Sequence, residues 1–208
     1  MNPFEKLKEM FREFPGIGPR QAERFVYFLL YKEKNFRGEL VKEIASLSNE
    51  VYQCSLCFRF FQSKNKTSAC SICADTHRDT SLLMVVPKDV DFESIEKSHA
   101  YKGLYFILGG TASFSTKKQV PLRMKSLQSR LEKGAKEGLK ELIIATSINP
   151  EGEHTQATIE DAIKDIVKKH NITISTLGKG LSTGAEIEYV DRETLESALK
   201  GRKPEILA

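Results

Sequence analysis

No run of apolar residues in the sequence approaches the roughly 20 needed to span a bilayer. A membrane-spanning helix is therefore not expected, and no membrane partner is assigned. The first residues, Met1-Asn2-Pro3-Phe4-Glu5-Lys6, lack the basic-then-apolar order of a secretory signal, so a cytoplasmic protein is expected. Charge of either sign is in little excess: 32 Lys and Arg face 28 Asp and Glu, a net +4. Such a balance identifies no polyanionic partner by itself. Cysteine is scarce too, at four in 208 residues. What is present is ordinary for a globular chain, with 40% apolar and 29% charged residues and enough length for one large domain or two to three small ones.

The distribution of charge says more than its sum. Residues 1–73 hold 12 Lys and Arg against 8 Asp and Glu, and the remainder holds 20 of each. The whole positive excess lies in the first third, where a polyanion would most naturally meet the chain. The cysteines are equally localised: Cys54-Ser-Leu-Cys57, twelve residues, then Cys70-Ser-Ile-Cys73. Two C-x-x-C pairs on a short loop can bring four thiolates around one tetrahedral ion at about 2.3 Å each. Two disulfides are the alternative, which a reducing cytoplasm disfavours. A structural Zn²⁺ held by Cys54, Cys57, Cys70 and Cys73 is expected. Four protein ligands leave no open position for catalysis. Nearby His77 reads as a surface residue, and Phe58-Arg59-Phe60-Phe61 as a mini-core beside the metal rather than a base-stacking platform.

Before the cysteines, Phe4, Leu7, Phe11 and Phe14 recur at helical spacing. The pattern breaks at Phe14-Pro15-Gly16-Ile17-Gly18-Pro19, where glycine permits a tight turn and Pro19 suits the first position of a new helix. That helix carries Ala22, Phe25, Val26 and Leu29 on its buried face, and a third carries Leu40, Ile44, Leu47 and Val51. Helix, P-G-I-G-P turn, helix is the pattern of a helix-hairpin-helix. Gly16 and Gly18 let the backbone approach a phosphate, and N–H groups at the next helix's start point at it. Arg20 and Arg24, one turn apart, can clasp neighbouring phosphates. Such contacts read little sequence, so DNA binding should be non-specific.

From residue 80 strands alternate with helices. Strands are expected over 81–86, 103–108, 142–146 and 172–175, with helices after the first, over 122–134 and over 155–169. This order implies a mainly parallel sheet covered by helices. Function in such sheets sits at the C-terminal strand ends, which gathers Asp89, the acidic Glu151-Gly152-Glu153 loop and the loop of residues 178–184.

In combination, these features resemble the bacterial recombination mediator family RecR: a helix-hairpin-helix, a four-cysteine zinc site and a Toprim-like domain, in that order and in about 200 residues. The local words agree along the chain: Phe14-Pro15-Gly16-Ile17-Gly18-Pro19-Arg20, Pro87-Lys88-Asp89-Val90, Gly103-Leu104-Tyr105 ending in Gly109-Gly110, and Glu151-Gly152-Glu153-His154-Thr155. So do Gly180-Leu181-Ser182-Thr183-Gly184, Glu188-Tyr189-Val190-Asp191 and the closing Thr194-Leu195 to Gly201-Arg202. The expected architecture is α/β and multidomain: a helix-hairpin-helix domain over 1–52, a zinc domain over 53–79, a Toprim-like domain over 80–176 and a short C-terminal segment over 177–208. The resemblance implies a non-catalytic clamp that encircles DNA as a dimer or tetramer ring and acts with the mediator proteins RecO and RecF. It assigns the DNA contacts to Arg20 and Arg24 and a partner contact to Glu151 and Glu153.

Two departures stand out. A catalytic Toprim site has a Glu at the end of its first strand and an Asp-x-Asp after a later one, which hold Mg²⁺ and handle protons. Here the first strand ends in Val85-Val86, and Ser147-Ile148-Asn149 follows the third. Ser182 stands where the family usually has Pro. The rival reading, a Mg²⁺-dependent Toprim-type nuclease or topoisomerase-like enzyme, would have to use Asp89, Glu151 and Glu153.

Overall fold

The computed structural model describes residues 2–63, 65–112, 122–178 and 180–202. The chain forms two compact units, Met1–Tyr52 with Gln62–Lys66, and Gln53–Phe61 with Thr67–Ala208.

The first unit is helical. Helix α1 (Pro3–Arg12) starts at Asn2, whose side chain accepts from the Glu5 N–H at 2.9 Å, and Pro3 presets the first turn. Helix α2 (Pro19–Tyr31) packs against it through Phe4 on Tyr27 and Phe11 on Phe25, edge to face at 5.2 and 5.5 Å. Between them, Pro15 and Gly16 occupy the centre of a turn closed by Ile17 N–H to Phe14 O at 3.1 Å; Gly16 has φ +77°, which the turn demands. Helix α3 (Lys34–Glu50) meets the end of α2 through Arg37, which donates to Leu29 O at 3.1 Å. Sequence periodicity put Phe25 and Leu29 on the buried face with Ala22 and Val26. Only Ala22 and Val26 are fully buried, and α3 buries none of its residues. Val41, Ile44 and Leu47 of α3 stay more than half exposed.

The second unit is built on a parallel sheet. Strands β1 (Val51–Gln53) and β2 (Phe60–Gln62), whose residues are divided between the two units, form a separate two-stranded sheet; α4 (Ser71–Ala74), in the second unit, is a single turn. The main sheet holds β3 (Asp79–Val86), β4 (Gly103–Ile107), β5 (Glu141–Ile144) and β6 (Thr173–Thr176) in the order β4-β3-β5-β6, all parallel. Helices α5 (Asp89–Lys97), α6 (Met124–Lys136) and α7 (Pro150–His170) make the crossovers, and α8 (Arg192–Lys200) follows a 3₁₀ turn at Ile187–Tyr189.

Strand alternation divides the core in two. Leu83, Val85, Leu104, Phe106, Leu142 and Ile144 point to the face covered by Leu127 and Leu131 of α6 and Ile159 and Ile163 of α7. Met84, Val86, Tyr105 and Ile107 point to the other face, where they pack with Phe92 of α5 and with Cys54, Cys57 and Cys70. The cysteine segment thus shares a core with the sheet. Arg78, just before β3, ties the same region to α5 through an ion pair with Glu96.

One helix begins earlier than its pattern suggested. Residues 151–153, expected in a loop, lie in α7, which starts at Pro150 and is capped by Asn149, whose side chain accepts from Gly152 N–H at 2.8 Å. Glycine is required there by proximity: a Cβ on Gly152 would lie 1.9 Å from the Ser147 carbonyl oxygen. Among the described residues no helix is long and apolar enough to cross a membrane.

Candidate metal centre and nucleic-acid interface

The four thiols converge. Their sulfurs all lie within 4.8 Å of one another, with Cys57 and Cys70 at 3.6 Å. A tetrahedral ion with bonds of about 2.3 Å sets its sulfurs about 3.8 Å apart, so the cluster fits one ion. Backbone geometry holds the knuckles in place. Phe58 N–H donates to Cys54 O at 3.0 Å, Cys54 N–H to Arg59 O at 2.9 Å, and Ala74 N–H to Cys70 O at 3.0 Å. Phe58 takes φ +64°, letting the chain reverse just after Cys57. Ile107 N–H donates to Cys57 O at 2.8 Å, which fixes the first knuckle to β4.

Crowding sets the thiols against one another. Bonds from Cys57, Cys70 and Cys73 hold Cys54 far below the usual thiol range, whereas sharing with Cys54 pushes Cys73 far above it. A divalent cation removes that conflict by favouring the thiolate at all four positions. Among the described residues this is the one His, Cys, Asp or Glu cluster that can hold a metal ion. His77 stands outside it, exposed beside Asp75 at 3.1 Å. Of the neighbouring aromatics, Phe58 packs edge to face on Phe106 at 5.4 Å and Phe61 joins the core; Phe60 is exposed. Arg59 lies over the Phe92 ring at 4.7 Å.

The hairpin residues lie together on the first unit. Gly18 is the N-cap of α2, Pro19 its first residue, and Arg20 and Arg24 follow on successive turns. Both arginines are exposed, and Arg24 Nη1 leans on Gln21 Oε1 at a weak 3.5 Å. A Cβ built on Gly16 or Gly18 would meet nothing within 4 Å, so the turn's backbone stands open to a large ligand. This is the geometry by which a helix start receives an anion.

At the strand ends the acidic residues do not converge on one point. Asp89 Oδ1 accepts from Phe60 N–H at 3.3 Å, a bond to the cysteine segment. Glu151, in the first turn of α7, accepts from the Thr111 hydroxyl at 2.8 Å. Buried Thr155 accepts from Ala112 N–H at 2.9 Å and donates to Glu151 O at 2.7 Å, seating the loop after β4 on α7. Glu153 is exposed in the same first turn. The clasp by Thr111 and Thr155 was missed by sequence reasoning; the Asn149-Pro150 cap signal would have moved the helix start and exposed it. Ser182 lies in an exposed stretch, and its loop includes Lys179, which lies outside the described residues.

A parallel sheet of this order, with a four-cysteine cluster that can hold a metal ion packed on one face, fits a Toprim-type α/β protein. Residues 81–178 match the Toprim domain model, and residues 180–203 match the RecR C-terminal model. The chain is 35% identical over 202 residues to a recombination protein RecR of Ligilactobacillus salivarius (strain UCC118), covering 97% of this chain and 96% of that one. It is 36% identical over 201 residues to that of Pediococcus pentosaceus, covering 96% of each, and 37% over 200 residues to that of Phytoplasma mali, covering 95% and 93%. The chain belongs to the RecR family of recombination proteins.

Proposed function

We propose that the protein is a non-catalytic clamp of recombinational repair, which grips DNA without regard to sequence and presents its Toprim face to the mediator proteins RecO and RecF. The observation that carries this reading is the chemistry of the strand ends. β3 closes on buried Val85 and Val86 and β5 runs into Ala145 and Thr146, so neither offers the carboxylates a two-metal phosphoryl-transfer site needs. The acids nearby are spent elsewhere, Asp89 on Phe60 and Glu151 on Thr111. The rival, a Mg²⁺-dependent nuclease or topoisomerase-like activity, would have to rearrange both.

In this reading the cysteines hold Zn²⁺, which supplies fold stability and no chemistry. The N–H groups at the start of α2 and the guanidinium groups of Arg20 and Arg24 neutralise backbone phosphates. One copy makes few such contacts, so repeating the hairpin around a dimer or tetramer ring raises affinity through effective concentration. A groove of about 390 Å³ on the first unit, lined by Leu7, Met10, Phe14, Leu30, Val41 and Ile44, supports that assembly. Val41 and Ile44 are 68% and 59% exposed, an apolar face that a second copy would bury.

Glu151 and Glu153 on the first turn of α7 repel phosphate and suit a basic protein surface. Glu151→Ala with Glu153→Ala should weaken binding to purified RecO or RecF by about tenfold, measured by calorimetry. The variant should keep the dimer or tetramer mass of the unaltered protein in light scattering. Unchanged mediator affinity would remove the role given to these acids, and a monomer mass for the unaltered protein would remove the ring.

A further inference from the structure

We propose that a cleft between the cysteine knuckle and α6 is a second phosphate-binding point, which takes one sugar–phosphate unit of a nucleic-acid strand; it rests on the DNA-binding reading above. The cleft has a volume of about 280 Å³ and lies within the second unit. Ser55, Leu56 and Phe58 form one wall. Ser126, Ser129, Arg130 and Lys133 form the other, a single stripe of α6 at spacings of three and four.

Charge selects the ligand. Two cations line the cleft, and among the described residues no carboxylate does. Glu137 stands outside it, 3.9 Å from Arg130 Nη1 and 3.7 Å from Lys133 Nζ, one loosely held anion for two cations. The balance leaves one positive charge, which matches the single charge of a phosphodiester. Arg130 is also poorly satisfied: its side chain is 11% exposed, and its Nε is buried without a hydrogen-bond partner. A guanidinium withdrawn from water and weakly paired is stabilised by an anion that approaches in its plane. The hydroxyls of Ser55 and Ser129 already donate to Ser68 O and Lys125 O, which leaves Ser126 as the hydroxyl donor toward the ligand. Leu56 and Phe58 give an apolar wall for the sugar. A volume at the low end of small-ligand sites, roughly 300–1,000 Å³, suits one nucleotide's backbone rather than a folded peptide.

The test uses the full-length protein and a fluorescent mixed-sequence oligonucleotide, with affinity read by anisotropy across a salt series. Lys133→Gln and Ser126→Asp are compared with the unaltered chain, with Arg20→Ala/Arg24→Ala, and with Lys97→Gln, a pair partner of Glu93 on α5. Both cleft variants should bind about three- to tenfold more weakly, and Lys133→Gln should lower the salt slope by about 0.7–0.9. Lys97→Gln should match the unaltered chain. If the hairpin variant weakens while both cleft variants bind normally with normal melting curves, the cleft proposal fails and the clamp reading stands. If the unaltered chain binds no oligonucleotide, the clamp reading fails and takes the cleft with it. Loss in the cleft variants of binding to an acidic peptide, with oligonucleotide affinity unchanged, would also overturn the proposal.

Discussion

Cys57→Ser should strip the metal from the protein and lower its melting temperature by about 6–20 °C. Cys57 is 1% exposed, its sulfur lies 3.6 Å from Cys70, and its carbonyl accepts from Ile107 on β4. The cluster packs with Met84, Val86, Tyr105 and Ile107, so its collapse would open one whole face of the sheet. Structural Zn²⁺ in small finger peptides binds with an apparent 10–16 kcal/mol, roughly the entire stability of a domain. Here the sheet retains its other face, packed by α6 and α7, so a loss of about 3–5 kcal/mol is the expected share. At roughly 2–4 °C per kcal/mol for a chain of this size, that gives the stated shift. Elemental analysis of protein purified without added metal should find one zinc per chain, falling toward zero in the variant. A near-zero content in the unaltered protein would remove zinc from the account.

Arg20→Ala combined with Arg24→Ala should weaken DNA binding by about a hundredfold or more. Each charge-assisted contact contributes about 1.5–3 kcal/mol, and 1.4 kcal/mol is about tenfold in affinity. The loss should be the same on unrelated sequences, since phosphates carry no sequence. The salt slope should fall by roughly one for each contact removed. Both side chains are exposed on α2, so melting should be unchanged. Affinity and slope like those of the unaltered chain would make the turn at Gly16 a simple corner between α1 and α2.

Much of this was legible in the sequence because strong local signals coincide with tertiary ones. Paired cysteines at C-x-x-C spacing specify a knuckle whatever surrounds them, and the sulfurs do converge. Short apolar runs separated by helical patterns specify a parallel sheet, and β3 to β6 lie near their expected positions. What escaped were features decided by contact across the chain. The segment 151–153 was expected as a loop, but Gly152 lets the first turn of α7 pass the Ser147 carbonyl. Asp89 read as a candidate metal ligand because it follows a strand end; its bond to Phe60 N–H joins positions 29 apart in the sequence. The helical spacing of Leu40, Ile44 and Leu47 identified α3 but not the fate of its face, since Ile44 and Leu47 remain 59% and 58% exposed. Periodicity reports that a face is apolar, and is silent on whether the same chain covers it.

The central claim is binding without turnover, and supercoiled plasmid incubated with the purified protein in Mg²⁺ tests it most directly. The plasmid should be retarded in a gel in a salt-sensitive manner, and after the protein is removed it should run with its original topology. Nicked, linear or relaxed products that persist through rigorous purification and vanish in Glu151→Ala would contradict the clamp and establish an enzyme.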